Sequence, residues 1–225
     1  METKYIRREL SAVIEEAYRY FSVITVTGPR QSGKTTLIRN LFPHLPYYSL
    51  ENLDVRSFAE NDPVAFLNQH TEGMILDEVH NAPNLLSYIQ GMVDADADRR
   101  FILSGSSQFA MLKKVTQSLA GRTAVFELLP MSYSEIREIA ADTPLDHLLF
   151  NGFYPAIYSG RNVPKFLYPA YMKTYLDKDV RDLLQIKDMM QFHTFIRLCA
   201  GRIGSLFKAS ELANEIGISS HTVTA

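Results

Sequence analysis

The chain has 225 residues, 46% of them hydrophobic, enough to bury a sizeable core and to form more than one domain. Its net charge of -2 excludes a surface given over wholly to nucleic acid, so any such contact is local. One cysteine, Cys199, excludes an intrachain disulfide and fits a reducing compartment; no apolar run approaches a membrane span and no apolar leader follows Met1, so a soluble, cytoplasmic protein is expected.

Ile6 to Tyr20 places Leu10, Val13, Ile14, Ala17 and Tyr18 at helical spacing among charged residues. A β-branched strand follows, Val23 to Thr27, and runs into Gly28-Pro29-Arg30-Gln31-Ser32-Gly33-Lys34-Thr35. This is G-x-x-x-x-G-K-[ST] between a strand and a helix, the pattern of a phosphate-binding loop. Phosphate oxygens need several donors converging at once. Gly28 and Gly33 permit close backbone approach, the loop N–H groups form an anion nest, and the helix start adds its positive dipole end. In this reading Gly28, Pro29, Arg30, Gln31, Ser32, Gly33, Lys34, Thr35 and Thr36 surround the nucleotide phosphates. The Lys34 ammonium reaches the β- and γ-phosphates and the Thr35 hydroxyl ligates Mg²⁺.

The helix Thr36–Phe42 stops near Pro43, and Tyr47 to Leu50 reads as a short strand. Pro63 opens a further helix through Ala65–Gln69. In GMILDEV, Gly73 to Val79, an apolar strand suited to the centre of a parallel sheet ends in two adjacent carboxylates. Ligands of open α/β sheets bind at that end of the strands. Asp77 is the expected Mg²⁺ carboxylate, and Glu78 is placed to polarise a water attacking the γ-phosphate. His80 is read as a loop residue. Pro83 to Val93 is an amphipathic helix, and the acidic run Asp94 to Asp98 lacks the glycine and glutamate of a calcium loop. Another apolar strand, Phe101 to Leu103, ends in Ser104-Gly105-Ser106-Ser107, and Thr123–Leu129 is the last strand. Two readings stand for Arg122: a phosphate-facing arginine, or an ordinary arginine at a helix end.

Beyond Pro130 the pattern is helical: Ser132–Ala140, Leu145–Phe150 and Lys165–Leu184. Asn151 to Pro155 is a turn. Tyr168, Tyr171, Met172, Tyr175 and Leu176 form the core of a helical lid. Arg181 lies in a charged run and is a weak nucleotide-sensing candidate. In Phe207–Ala225, Ser210 caps one helix, Gly217 turns and Ser219 caps a second, a helix-turn-helix pattern. The chain stops as that second helix begins, which suggests a piece of a longer protein.

The strings GPRQSGKTTL, ILDEVHNAPNLL, FILSGSSQF, SLAGR, ELLPMSYSE, NGFYPA and YLDKDVRDLLQI together resemble those of bacterial and archaeal AAA-type ATPases that carry a C-terminal domain of unknown function similar to restriction nucleases. The first two strings are general to P-loop ATPases; the later ones point to this group. The resemblance implies a sheet with the phosphate-loop strand central and the Phe101 strand between it and the Asp77 strand. It implies that Ser106 or Ser107 meets the γ-phosphate or the lytic water. A helical lid, a winged helix and then the C-terminal domain would follow, the last falling outside this sequence.

The expected architecture is α/β: a three-layer parallel sheet of the P-loop, AAA-like type over residues 1–130, a helical lid over 131–204 and an incomplete winged helix-turn-helix over 205–225. The expected activity is ATP binding and Mg²⁺-dependent hydrolysis, with Glu78, Lys34 and Ser106 catalytic and Thr35 and Asp77 on the metal. The alternative is a nucleotide-gated DNA-binding regulator, although Lys208 and His221 are the only basic residues in the visible helix-turn-helix. A small-molecule kinase is disfavoured by Glu78, which suits water activation. DNA or a partner protein is a candidate for the C-terminal region, and oligomerisation is open.

Overall fold

The computed structural model describes residues 5–105, 115, 117–174 and 188–224. Five strands form one parallel sheet: β1 (Val23–Thr27), β2 (Tyr47–Ser49), β3 (Gly73–Asp77), β4 (Arg100–Ser104) and β5 (Thr123–Glu127), in the order β2-β3-β4-β1-β5. The phosphate-loop strand is internal, and β4 lies between it and the acidic strand, as expected. In register, Val23 faces Phe101 and Thr123 across the two ladders of β1, and Ser49 faces Asp77.

Every residue of β1 and β3 is buried, because helices cover both faces of the sheet. Alternation along the strands divides the core. Ile24, Val26, Ile75 and Ile102 pack with Ile14 of α1 (Leu10–Ala17) and with Leu37 and Ile38 of α2 (Lys34–Leu41). Val23, Met74, Leu76, Phe101 and Leu103 point the other way. They meet Ala59 of α3 (Leu53–Asn61), Phe66 and Leu67 of α4 (Pro63–Leu67), and Leu85, Leu86, Ile89 and Val93 of α5 (Leu85–Ala95). This is the three-layer arrangement in which each strand buries both sides.

Local chemistry sets the helix starts. Asp62 caps α4 through the Ala65 N–H at 3.0 Å, with Pro63 in its first turn. α3 is not expected from residue spacing, yet Asn52 caps it by accepting from the Asp54 and Val55 N–H groups at 2.9 and 3.3 Å. α1 is also shorter than the Ile6–Tyr20 expected, because residues before Leu10 make non-helical contacts described below.

Gly73 opens β3 with φ +115°, and a Cβ there would stand 1.6 Å from the Arg100 carbonyl oxygen. Gly73→Ala is therefore expected to cost about 3 kcal/mol or more, combining left-handed strain with a backbone clash. Urea unfolding measures this; a loss below about 1 kcal/mol would mean that β3 and β4 separate freely there.

Contacts divide the chain into two compact units, Met1–Phe166 and Leu167–Ala225. In the first, helices Tyr133–Ile139, Leu145–Asn151 and Pro155–Tyr158 follow β5, and Met131, Ile136 and Leu148 form a small core of their own. The third of these helices begins at Pro155, where the expected turn ends, and no helix is expected there from the sequence. The helix Pro164–Tyr171 crosses the division; Leu167 is buried, whereas Tyr168, Tyr171 and Met172 are only half-buried, and Tyr175 and Leu176 lie outside the described residues.

In the second unit, Met189–Ala200 is a helix absent from the sequence reading, capped by Asp188. Helix Ala209–Ile216 ends at Gly217, whose left-handed conformation lets the Gly217 and Ile218 N–H groups both reach the Ala213 carbonyl. Ser219 caps the helix Ser220–Thr224 through the Thr222 N–H at 3.1 Å, as expected. Ser210 does not cap its helix; the cap position is Lys208, so Ser210 lies inside the first turn.

Candidate active site

The loop from Gly28 to Lys34 connects the C-terminal end of β1 to α2. Gly28 has φ +143°, and a Cβ there would lie 2.2 Å from the Leu128 carbonyl oxygen. Only glycine lets the chain leave β1 so close to the segment after β5. Gln31 at φ +63° and Gly33 at φ +98° are both left-handed, and Gly33 is the N-terminal cap of α2. Ser32 between them is buried, and its hydroxyl has no hydrogen-bond partner among the described residues.

Lys34 is buried, and its ammonium donates to the Gly28 and Pro29 carbonyls, each at 3.0 Å. Burial lowers its pKa below the ordinary lysine value, and Arg30 adds to this; Glu78 and Asp77 oppose the shift without reversing it. Arg30 and Gln31 are exposed on the loop, Pro29 is half-buried, and Thr36 is exposed on α2, where its carbonyl accepts from Asn40 at 2.7 Å.

Asp77, at the C-terminal end of β3, is 4% exposed and gathers four donors. Its Oδ2 accepts from the Thr35 and Tyr47 hydroxyls, both at 2.7 Å. Its Oδ1 accepts from the Ser104 hydroxyl and from the Glu78 N–H, the latter at 3.1 Å. Thr35 and Asp77, 42 residues apart, are thus joined directly. Burial raises the Tyr47 phenol's pKa, and its bond to the Asp77 carboxylate raises it further, so Tyr47 stays a donor. The Arg39 guanidinium lies over its ring at 4.8 Å.

Glu78 has φ +55°, a left-handed conformation uncommon for a non-glycine residue, directly after the strand. His80 Nδ1 lies 3.1 Å from Glu78 Oε2, near enough to pair when the ring is protonated but without hydrogen-bond alignment. Burial pushes the Glu78 pKa up, but His80, Lys34 and Arg30 outweigh it, so the carboxyl titrates below its usual range and is ionised at neutral pH. His80 is therefore a neighbour of the acidic pair and not merely a loop residue.

The structure brings together Gly28, Lys34, Thr35, Asp77 and Glu78. Ser106, Ser107 and Arg181 lie outside the described residues. Of the two readings of Arg122, its placement disfavours the phosphate-facing one. Arg122 precedes β5 at the N-terminal end of the sheet, where its carbonyl accepts from the Val23 N–H, whereas the loop stands at the C-terminal end. Its guanidinium pairs with Asp94 through Nε at 2.5 Å and Nη2 at 2.8 Å. A bidentate pair at the wrong end of the strands removes Arg122 from the phosphate site. Ser104 and Tyr47 were not singled out from the sequence. A serine ending the apolar run of β4 was a usable signal for the first; no local pattern marks the second.

These residues fit a nucleotide with its metal. The orphaned Ser32 hydroxyl and the glycine cradle suit an oxyanion, and Asp77 with Thr35 presents a carboxylate and a hydroxyl side by side. Among the described residues no three His, Cys, Asp or Glu side chains cluster as a metal cage. A single carboxylate supplemented by phosphate oxygens is how Mg²⁺ is usually held at such sites. Among the described residues no helix is long and apolar enough to cross a membrane.

Residues 20–137 match the AAA domain family, and residues 142–225 match a domain of unknown function. Uncharacterized proteins of Mycobacterium bovis and Mycobacterium tuberculosis are each 29% identical over 225 residues, covering 96% of this chain and 49% of the relative. The chain thus spans about half the length of these relatives. Among solved structures, a Walker-type ATPase of Pyrococcus abyssi is similar with a TM-score of 0.49 at 15% identity, over 89% of this chain and 77% of that one. A mutant RuvB of Thermotoga maritima is similar with a TM-score of 0.47 at 17% identity, over 97% of this chain and 85% of that one. Because the family match spans more than half of its residues, the chain belongs to the AAA domain family of P-loop ATPases.

Proposed function

We propose that this chain binds ATP with Mg²⁺ and hydrolyses the γ-phosphoryl bond. The observation that carries this reading is the convergence on Asp77. Its carboxylate is bonded to the Thr35 hydroxyl that follows the loop lysine, and it is succeeded by an ionised Glu78. Lys34 and the loop N–H groups hold the phosphate oxygens and take up charge as the bond breaks. Thr35 and Asp77 hold Mg²⁺, which when bound neutralises charge on the phosphate oxygens. Glu78 orients a water whose oxygen attacks the γ-phosphorus in line, takes its proton, and the bridging oxygen leaves with ADP.

Ser106 keeps the role the family resemblance suggests, contact with the γ-phosphate. Residues 1–130, 131–204 and 205–225 would serve as ATPase core, helical lid and the first part of a winged helix.

Thr35→Ala and Asp77→Asn test the metal assignment. Each is expected to reduce the gain in nucleotide affinity that Mg²⁺ confers by about tenfold or more, while binding in EDTA changes little. Calorimetric titration of ADP with Mg²⁺ and with EDTA reads this. If both variants retain the full Mg²⁺ effect, the metal is held elsewhere.

A further inference from the structure

Arg8 lies just before α1, is 7% exposed, and reaches three separate stretches of the first unit. Its Nε donates to Glu135 Oε1 at 2.9 Å and its Nη1 to the Ser32 carbonyl at 2.9 Å. Its Nη2 donates to the Leu129 and Pro130 carbonyls at 2.8 and 3.3 Å. Glu135 is held in turn: Oε1 also accepts from the Glu9 N–H at 2.7 Å, and Oε2 from the Ser132 N–H at 2.8 Å. Burial pushes the Glu135 pKa up, but Arg8 and the two N–H groups outweigh it, so the carboxylate is ionised.

The contact with the Ser32 carbonyl matters most. Across a trans peptide the C=O and the following N–H point in opposite directions, and no peptide in the described chain is cis. Holding the Ser32 oxygen on Arg8 therefore turns the Gly33 N–H away from Arg8. Ser32 is flanked by two left-handed residues, Gln31 and Gly33; for Gln31, which is not glycine, that conformation persists only where surroundings over-determine it. The buried guanidinium supplies that constraint from behind the loop. Its five donors in a planar fork meet a carboxylate and three carbonyls at once, more acceptors than the three donors of an ammonium can serve.

We propose that Arg8 is a positioning residue for the phosphate loop, fixing the Ser32–Gly33 peptide with its N–H toward the bound phosphate, and that Glu135 orients Arg8. This deepens the proposed function and rests on the loop's binding a nucleotide phosphate. Arg8 touches no reacting atom. Through it, the helix Tyr133–Ile139 and the segment before α1 set the shape of the loop at Ser32, 24 residues from Arg8 in sequence.

The test uses the full chain with Arg8→Gln, Arg8→Lys and Glu135→Gln. Two quantities are measured: Mg·ADP affinity by calorimetry, and amide hydrogen exchange of residues 28–35 without nucleotide. Arg8→Gln is expected to weaken Mg·ADP about 10- to 100-fold, the range for losing one charge-assisted hydrogen bond. Loop amides should exchange faster while those of β1 and β3 do not change. Arg8→Lys should recover part of the affinity, and it serves as the readout if Arg8→Gln does not fold. Glu135→Gln should fall between Arg8→Gln and the parent. Parent-like affinity and loop exchange in the Arg8 variants would overturn the inference and leave the ATPase reading standing. Exchange accelerating equally through the sheet would also overturn it, since Arg8 would then only stabilise the fold. A parent that binds no Mg·ADP would sink the nucleotide reading itself, and with it the Arg8 inference.

Discussion

Lys34→Ala is expected to abolish tight ATP binding. Lys34 is the buried cation of the loop, and its Nζ is already gathered among the loop carbonyls of Gly28 and Pro29 at 3.0 Å. A phosphate chain entering the loop offers that ammonium a charged acceptor in place of neutral carbonyls. Each such charge-assisted contact contributes roughly 1.5–3 kcal/mol, so losing one costs about 10- to 100-fold in affinity and losing two compounds it. Burial lowers the Lys34 pKa, but Asp77 and Glu78 beside it oppose the shift, and bound phosphate would favour the charged form still more. Calorimetry should show binding fall beyond the measurable range while a melting curve on the same preparation stays cooperative. Unchanged affinity would remove the loop from nucleotide binding altogether.

Glu78→Gln separates an ATPase from a nucleotide-binding switch. Glutamine keeps the size and can bond a water, but it can neither accept the proton nor present negative charge. The Thr35 hydroxyl is bonded to Asp77, and the Glu78 backbone N–H, which also holds Asp77, survives the substitution. ATP and Mg²⁺ should therefore bind nearly as in the parent. Turnover should fall by roughly 10²–10⁴-fold, the range for loss of a positioned general base. The variant should accumulate with ATP bound, and any ATP-dependent assembly should persist instead of cycling. Phosphate release, ATP affinity and a melting curve on one preparation decide the matter. An unaltered rate with intact folding would remove Glu78 from the mechanism and favour the switch. The contact with His80 gives the alternative a concrete form: if Glu78 served only to pair with it, the substitution would lower stability and leave the rate alone.

Much of this protein is legible locally. The loop, its strand and its helix form one contiguous stretch, because a phosphate nest is built from consecutive backbone N–H groups. The adjacent carboxylates Asp77 and Glu78 are legible because a β-strand delivers its last residues to the same end of the sheet as its neighbours. The alternation of Ile24 and Val26 against Val23 shows only that β1 is buried on both sides. That β4 lies between β1 and β3 came from family resemblance and not from any local pattern, since strand order depends on crossovers that no residue spacing encodes.

What the sequence by itself determined, then, is what single segments carry: the glycine-lysine loop between β1 and α2, and the adjacent carboxylates Asp77 and Glu78 at the end of β3. Only the tertiary structure decided which distant residues serve them. Arg122 fits either a phosphate or an ordinary helix end, and strand direction puts it at the end of the sheet opposite the loop, paired with Asp94. Tyr47 and Ser104 meet Asp77 because β2 and β4 flank β3, and Arg8 meets Glu135 across 127 residues. Hydrogen bonds of this kind depend on separations of about 3 Å set by packing, and such distances have no signature in residue order.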